Sequence, residues 1–158
     1  MSSLSLRSAA FTDGNAIPRI CTCQGSDQSP ELSWTGLPAG TRSLVLIVDD
    51  PDAPDPAAPK TTWVHWVLYD LPPTATGLPA GLAAAALPPG TRQGQNSWGR
   101  TGYGGPCPPI GRHRYFHKLY ALDTVLGDLG KIDAKGLMDR GSGHVLGQVS
   151  LVGTYEKD

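Results

Sequence analysis

The hydrophobic residues of this chain fall into short runs that glycine and proline residues separate. Residues 43–49 (SLVLIVD) form a continuous apolar run, which predicts a strand buried on both faces. Residues 61–69, rich in Trp, Val and Tyr, predict a second strand. Residues 113–122 mix aromatic and charged side chains with a period of two, and residues 148–155 predict a fourth strand. The pattern therefore favours β-structure over long helices.

Helix signals are confined to one short segment. Residues 133–140 (DAKGLMDR) predict a short helix with Asp133 near its N-cap, and a further turn is predicted at 143–147. Residues 72–90 are rich in Ala, Pro and Gly, which predicts a surface connection rather than a linker between domains. Because 158 residues are the size of one ordinary domain, we expect residues 1–158 to form a single all-β sandwich or barrel with one or two short helices.

The charge balance narrows the range of partners. Thirteen basic and fourteen acidic residues give a formal net charge of −1, which predicts neither a nucleic-acid partner nor binding to an anionic membrane surface. The first residues lack the apolar stretch of a signal peptide, and no segment is long enough to predict a transmembrane helix. We therefore expect a cytoplasmic protein whose partner is a small molecule or another protein.

The chain contains three cysteines, Cys21, Cys23 and Cys107. An odd number in a chain without a secretory leader argues against a disulfide framework. A C-x-C pair with one distant cysteine also gives poor zinc geometry, because structural zinc sites use four ligands in closely spaced pairs. We expect neither a disulfide nor a metal at these residues, and Cys107 is interpreted as a small loop residue.

Ionisable groups interrupt the apolar pattern at two strands. Residues 49–54 (DDPDAP) follow the first run directly, and their two prolines predict that ladder pairing ends there and holds the carboxylates at a strand end. The alternative interpretation of this segment is an Asp-Pro turn. His65 lies within the second run, where alternation places it on the face of Trp63 and Val67 and opposite Trp66. Taken alone, His65 is typical of a core histidine that needs a hydrogen-bond partner.

A third polar region is the Gly- and Pro-rich segment 102–115. Its glycines and prolines predict a rigid, irregular loop that can direct backbone N–H groups into a concavity, an arrangement that binds anions. In the strand that follows, alternation places His113 and Tyr115 on one face and Arg114 on the other, which favours a structural or surface role for Arg114. Each of the three regions is a weak signal alone, but together they predict a ligand site at strand ends.

These residues resemble the phosphatidylethanolamine-binding protein family, and most closely its bacterial branch, often labelled Raf-kinase-inhibitor-like. The matching motifs run in order along most of the chain: SPELSW at 29–34, DPDAP at 50–54, Trp63-x-His65, GYGGPCPP at 102–109, HRY at 113–115 and GHVLGQVSLVGTYEK at 143–157. The resemblance implies a Greek-key antiparallel β-sandwich with a small helix. It also implies a shallow pocket for phosphate-bearing head groups and other small anions, and a homodimer.

The resemblance assigns eight residues to this pocket, two acidic residues at its rim, two residues of the loop wall and four from the W-x-H and HRY motifs: Asp50, Asp52, Gly105, Pro106, Trp63, His65, His113 and Tyr115. The chain departs from the family pattern in its Asn-Ser-Trp-Gly segment at 96–99, where bacterial relatives often have Asn-Asp-Phe-Gly, and at His117, a position usually aromatic. No counterpart of the C-terminal helix of eukaryotic relatives follows, which predicts a more open pocket.

The leading hypothesis is a binding protein for small anions or phosphate head groups that uses no cofactor and regulates a protein partner by direct contact. His65, His113, the Tyr115 hydroxyl and loop N–H groups are the expected donors. Asp50 or Asp52 is expected to accept from a histidine N–H and so favour the imidazolium form. The alternative is a metal-free acid–base enzyme that uses the same pocket, although no G-x-S-x-G motif is present. A metal site of two histidines and a carboxylate is a third hypothesis, which the lack of a closely spaced ligand pair disfavours.

Overall fold

The structure is a computed structural model that describes residues 3–157, and it contains two antiparallel sheets and one α-helix. The smaller sheet has the order β1-β2-β5 and consists of β1 (Ser5–Arg7), β2 (Leu32–Thr35) and β5 (Gly77–Leu78). The larger sheet has the order β6-β4-β3-β7-β8 and consists of β3 (Ser43–Ala53), β4 (Thr61–Leu71), β6 (Arg92–Gln93), β7 (Arg112–Leu122) and β8 (Val145–Glu156). The predicted all-β class with a short helix is confirmed.

The apolar strands form two cores on opposite faces of the larger sheet. On the inner face, leucines and tryptophans of β2, β3, β4 and β7 pack between the two sheets: Leu32, Trp34, Leu46, Trp66, Leu68 and Leu119. On the outer face, Val45, Ile47 and Val67 pack against Leu137 of the helix. Each of these fully buried aliphatic side chains contributes about 2 kcal/mol to folding. The larger sheet is therefore buried on both faces over much of its length, as the continuous apolar runs predicted.

The helix α1 (Ala134–Gly141) covers part of the outer face. The Asp133 side chain caps it by accepting a hydrogen bond from the Gly136 N–H at 2.8 Å, which confirms the predicted N-cap. With eight residues, α1 is the longest helix in the described chain and falls far short of the length needed to cross a bilayer. The turn predicted at 143–147 is present but shorter than predicted: it includes Gly143 at φ +84°, and β8 already begins at Val145.

The prolines of segment 49–54 predicted that the first strand ends there, and this prediction is wrong. β3 continues to Ala53, which pairs with Thr61, while Asp50 pairs with Trp63. Between these two pairs β3 advances by three residues and β4 by two, so β3 carries one extra residue, a β-bulge, at this point. The bulge accommodates the prolines that a regular ladder would exclude, and pairing resumes beyond them.

A second irregularity changes the orientation of His65. Val48 pairs with Trp66 and Asp49 with Val64, which leaves His65 as an extra residue in β4. As a result Trp66 packs in the inner core and Val67 in the outer one, while the His65 ring contacts Tyr115 of the inner core. The prediction that His65 shares a face with Val67 and opposes Trp66 is therefore wrong, because the bulge interrupts the alternation.

The cysteine prediction is also wrong. Cys23 and Cys107, 84 residues apart, form a disulfide with a Cα–Cα distance of 5.4 Å. The Cys23 N–H donates to the Pro106 carbonyl at 3.1 Å, so the two loops also meet through their backbones. Cys21 accounts for the odd count, since it is buried in the inner core, where burial raises the pKa of its thiol. The disulfide removes the cysteine argument for a cytoplasmic location, which stays a prediction.

Candidate functional site

A cavity of about 280 Å³ opens at one end of the larger sheet, where the end of β3 meets the starts of β4 and β7. Its walls come from these three strands and from the loops before β7: Asp50, Ala53, Pro54, Trp63, His65, Trp98, Cys107, Pro108, Pro109, His113 and Tyr115. Prolines and aromatic rings make up most of the wall. The ionisable groups are few and lie where the strands end.

Asp50 and His113 form a buried pair in this wall. His113 Nδ1 donates to Asp50 Oδ2 at 2.5 Å, and Asp50 Oδ1 accepts from the Asp52 N–H at 2.7 Å. His113 Nε2 lies 2.9 Å from the Ile110 carbonyl oxygen and 3.1 Å from that of Pro54. Both ring nitrogens thus face protein oxygens, so neither is free to bind a ligand.

His65 is the other histidine of the cavity wall, and its hydrogen bonds differ from those of His113. Its Nδ1–H donates to the Gly104 carbonyl at 2.7 Å, and its ring packs edge-on against Trp98 and Tyr115, with centroids 5.2 Å apart in each case. Burial lowers the pKa of His65, against the opposing effect of the nearby Gly104 carbonyl. A neutral ring that donates from Nδ1 carries its lone pair on Nε2, so His65 can accept a hydrogen bond from a ligand.

Tyr115 contributes the hydroxyl group of the cavity. Its ring is buried and stacks on His113 with an interplanar angle of 18°. Burial, followed by the negative charge of Asp50, raises the pKa of this phenol, so it stays protonated. No residue within 3–157 forms a hydrogen bond with the Tyr115 hydroxyl, which leaves its donor for a molecule in the cavity.

Two indole rings form the aromatic part of the wall. Trp63 and Trp98 meet edge to face, with centroids 5.5 Å apart at 85°. Trp98 is 42% exposed, and the Arg100 guanidinium lies 5.6 Å from its ring centroid. Gly104 packs under this ring so closely that a Cβ there would lie 2.2 Å from a Trp98 ring carbon. Any side chain at position 104 would therefore displace the Trp98 indole ring.

The three carboxylates of segment 49–54 lie in different surroundings. Asp50 faces the cavity, whereas Asp49 accepts from Lys118 Nζ at 2.9 Å and its pKa is raised by burial. Asp52 accepts from the Arg114 backbone N–H at 2.9 Å and from its guanidinium at 2.8 and 3.0 Å. These hydrogen bonds lower the pKa of Asp52. The Asp52 carboxylate therefore binds Arg114 and lies outside the cavity lining.

Five of the eight sequence-predicted site residues line the cavity together: Asp50, Trp63, His65, His113 and Tyr115. The other three lie outside the lining. Gly105 donates its N–H to Asp27 Oδ1 at 3.0 Å, and Pro106 accepts from the Cys23 N–H, so both hold the loop behind the wall. Asp52 lies beside the Asp50–His113 pair and donates its backbone N–H to the Asp50 carboxylate.

Sequence reasoning did not assign Trp98 or Cys107 to the site. From the sequence alone, Trp98 stands out only as a departure from the family pattern and as an indole in a segment rich in glycine. Cys107 lies in the cavity wall as half of the disulfide. No group of three or more His, Cys, Asp or Glu side chains between residues 3 and 157 is arranged to hold a metal ion.

The comparisons with known proteins agree with this architecture. The family model described as phosphatidylethanolamine-binding protein matches residues 7–156. A protein of Methanothermobacter thermautotrophicus, named UPF0098 protein, is 46% identical over 98% of this chain and 99% of its own length. A Chlamydia trachomatis protein of the same name is 41% identical over 98% of this chain and all of its own.

Two solved structures share the fold. A crystal structure from Chlamydia trachomatis, titled as a phosphatidylethanolamine-binding protein homolog, superposes with a TM-score of 0.90 at 40% identity and full coverage of both chains. That of Escherichia coli YbcL, described as a member of the mammalian family, gives 0.89 at 29% identity and covers 99% of this chain and all of that one. The chain belongs to the phosphatidylethanolamine-binding protein family.

Proposed function

We propose that this chain is a binding protein for small anionic ligands, including phosphate-bearing head groups, and that the cavity holds them. The observation that carries the proposal is the convergence of a buried Asp50–His113 pair, an acceptor on His65 and a free hydroxyl on Tyr115 at one cavity of about 280 Å³. The Tyr115 hydroxyl is the donor that a phosphate or carboxylate oxygen needs, and His65 Nε2 can accept from a protonated ligand oxygen. The relatives titled as phosphatidylethanolamine-binding proteins support the phosphate head group as the ligand class.

The charge of the wall limits which anions fit. Neither lysine nor arginine is among the lining residues, and the Asp50 carboxylate is the acidic group of the wall. A dianion would therefore enter without a full countercharge, which costs several kcal/mol in a buried site. A monoanion that keeps one proton fits better: its oxygens accept from Tyr115, while its own hydroxyl donates to His65 Nε2.

The indole walls favour a ligand that also has an apolar part. Trp63 and Trp98, together with prolines at 54, 108 and 109, form a concave apolar surface next to the polar groups. Burial of apolar ligand surface there contributes about 25 cal/mol for each Å² removed from water. A phosphate monoester with an apolar part should thus bind better than inorganic phosphate.

Acid–base catalysis in the same cavity is the second candidate, and the Asp50–His113 pair is the feature that favours it. Both nitrogens of His113 are engaged by protein oxygens, so a base would have to be His65 through Nε2, whose pKa burial lowers. A general base must present a free nitrogen to the proton that it abstracts. A regulatory role through a protein partner stays a prediction.

The test is a thermal-shift titration with phosphoethanolamine, inorganic phosphate and acetate on the wild type and on Tyr115→Phe. A ligand that binds only the native state raises the melting temperature by mass action. Loss of one hydrogen bond to a charged group should weaken binding about tenfold in Tyr115→Phe. Tyr120→Phe is the matched control, because Tyr120 packs on the outer face of the same strand.

Three outcomes would contradict the proposal. They are the absence of any shift with all three ligands, equal shifts in wild type and Tyr115→Phe, and an equal loss in both tyrosine variants. The order phosphoethanolamine above inorganic phosphate is expected because its methylene groups contact the apolar wall and its ammonium group can lie against the indole rings. The reverse order would limit the site to simple anions.

A further inference from the structure

The Gly-rich loop that forms one wall of the ligand cavity also borders a second cavity. This second cavity has a volume of about 340 Å³, and its lining includes Asp27 and Tyr103 of the loop. Among residues 3–157, none lines both cavities. Gly104 and Gly105 lie between them, with His65 bound on one side and Asp27 on the other. The loop therefore connects a residue of the ligand cavity with a residue outside it.

A single peptide group makes this connection. Its C=O, which belongs to Gly104, accepts a hydrogen bond from the His65 Nδ1–H at 2.7 Å. Its N–H, which belongs to Gly105, donates to Asp27 Oδ1 at 3.0 Å. The C=O and N–H of a trans peptide lie in one plane and point in opposite directions. His65 and Asp27 therefore lie at the two ends of a chain of two hydrogen bonds that passes through one peptide group.

The surroundings hold both ends of this chain in place. On the His65 side, the Gly104 N–H donates to the His65 carbonyl at 3.0 Å. On the other side, the Asp27 N–H donates to the Thr22 carbonyl at 3.2 Å, and Asp27 has a φ of 57°, a left-handed conformation that aspartate and asparagine adopt more readily than most residues. A Cβ at Gly105 would lie 2.3 Å from Asp27 Oδ1, so glycine allows the carboxylate to reach the N–H.

We propose that Asp27 is a positioning residue of the ligand cavity. It holds the Gly104 carbonyl toward His65 Nδ1 and thereby keeps the lone pair of His65 on Nε2, where a ligand can donate to it. This role rests on the proposed function, in which His65 Nε2 accepts from a protonated ligand oxygen. Asp27 lies outside the lining of that cavity, so it acts through the peptide group and not by contact with the ligand.

The negative charge of Asp27 is the physical basis of this role. A hydrogen bond to a carboxylate is roughly twice as strong as one between neutral groups. Hydrogen bonds that share a peptide group polarise one another, so the bond from the Gly105 N–H to Asp27 makes the Gly104 oxygen a stronger acceptor. A stronger acceptor at Nδ1 favours the Nδ1–H tautomer of His65 and makes the lone pair on Nε2 more basic. Asp27 thus acts as a directly bound carboxylate would, one peptide group further away.

The other titratable groups near His65 do not take the place of Asp27. These groups come from three elements: Asp50 of β3, Tyr115 and His117 of β7, and Asp27 of the loop before β2. Near pH 7 neither Tyr115 nor His117 is charged, because burial raises the pKa of the first and lowers that of the second to about 4. Burial also lowers the pKa of His65, whereas the carbonyl that it binds, Asp50 and Asp27 act in the opposite direction. Of the two carboxylates, Asp27 is the one that a hydrogen-bonded peptide group connects to the ring.

NMR of the His65 ring nitrogens measures this role in the free protein, because it reports which nitrogen carries the proton and, over a titration, the His65 pKa. Asp27→Asn keeps an oxygen acceptor for the Gly105 N–H and suits the left-handed backbone, but it removes the charge. We expect this variant to keep the Nδ1–H tautomer and to lower the pKa of His65. The dissociation constant for phosphoethanolamine should rise about threefold.

Asp27→Ala removes the acceptor as well as the charge. The Gly104–Gly105 peptide group is then free to turn away from His65, so we expect a mixture of the two tautomers and a dissociation constant about tenfold above that of the wild type. A purely structural role for Asp27 predicts a different result, in which Asp27→Asn behaves as the wild type in its His65 pKa. Asp27→Asn therefore decides the question even if Asp27→Ala does not fold.

The matched control is Asp13→Asn. Asp13 Oδ1 also accepts from a backbone N–H, that of Val152 at 2.8 Å, but Asp13 is not among the groups that act on His65. This variant should leave the tautomer, the His65 pKa and the dissociation constant unchanged. A His65 pKa that is the same in the wild type and in both Asp27 variants, or that falls equally in Asp13→Asn, would overturn the role of Asp27.

The NMR and binding results together separate this role from the proposed function. If the wild type binds none of the three ligands while both Asp27 variants lower the His65 pKa, the proposed function is wrong and the positioning of His65 by Asp27 stands. If the wild type binds phosphoethanolamine and neither Asp27 variant changes the dissociation constant, the proposed function stands and the role of Asp27 in it is overturned.

Discussion

The strands β3 and β7 carry two acid–base pairs, which are close in sequence and opposite in their surroundings. Asp50 and His113 meet at 2.5 Å in the cavity wall, with side chains only 4% and 1% exposed. Asp52 and Arg114 meet at 2.8 Å; the Asp52 side chain is 8% exposed, whereas the arginine side chain is 55% exposed and lies over the Phe116 ring. The bulge in β3 and the alternation of β7 separate two pairs that the sequence places side by side.

The difference in burial determines what each pair contributes. Charges removed from water are costly, so a buried pair holds only while both partners are present. A pair at the surface is screened by solvent and contributes little, even with good geometry. The inner pair is therefore the sensitive one, and it is also the pair that meets a ligand. Four predictions test this contrast.

The largest expected effect is the loss of the inner pair. His113→Ala leaves the Asp50 carboxylate buried without its main partner, which should lower the free energy of unfolding by about 4 kcal/mol. Urea denaturation of the wild type and the variant measures this difference. Asp50→Asn in the His113→Ala background should recover part of the loss, because it removes the unpaired charge. A loss below about 1 kcal/mol for His113→Ala would show that the pair is not essential.

The disulfide should come next in magnitude. Cys23–Cys107 fixes the loop behind the inner pair and closes a long segment of chain, so its removal should cost about 3 kcal/mol. Denaturation of the Cys23→Ser/Cys107→Ser double variant measures this cost. Reductant should lower the stability of the wild type by a similar amount and leave the double variant unchanged. An equal effect of reductant on both proteins would show that the effect does not come from the Cys23–Cys107 bond.

The second histidine of β7, His117, shows what happens to an imidazole without a carboxylate partner. His117 Nδ1 lies 3.2 Å from the Tyr115 and Leu151 carbonyl oxygens, and burial lowers its pKa from about 6.5 to about 4. Between these values the unfolded chain binds more protons than the folded one, so stability falls as pH falls. The contribution of His117 to this loss should be about 2 kcal/mol between about pH 7.5 and pH 5.

The His117 prediction is measured as a difference between two proteins. His117→Phe keeps an aromatic ring against Phe11 and removes the titrating group. Its unfolding free energy should decline less between the two pH values than that of the wild type, by the stated amount. Parallel pH profiles would mean that His117 is not the group responsible.

The sequence predicted those parts of the fold that follow from local pattern. Continuous apolar runs identified β3 and β4, and alternation in β7 separated His113 from Arg114. A capping aspartate and its glycines identified the helix. Each of these signals is carried by residues within a few positions of one another, which is why periodicity alone finds them.

The errors arose where one extra residue or a distant contact determines the structure. A bulge leaves no mark in composition, so the orientation of His65 and the removal of Asp52 from the cavity could not be predicted by alternation. The Cys23–Cys107 pairing joins loops 84 residues apart and depends on the complete fold. Trp98 reaches the cavity from a connecting segment, where no strand pattern indicates its direction.

The smallest expected effect is the loss of the outer pair, and it completes the contrast. Arg114→Ala removes two hydrogen bonds to Asp52, yet the arginine is more than half exposed, so the loss should be about 1 kcal/mol or less. The Asp52 carboxylate keeps the Arg114 backbone N–H as a donor in the variant, which is a further reason for a small effect. Urea denaturation at low and high salt checks this, since screening should shrink the difference for an exposed pair. A cost equal to that of His113→Ala would mean that geometry, rather than burial, sets the strength of these pairs.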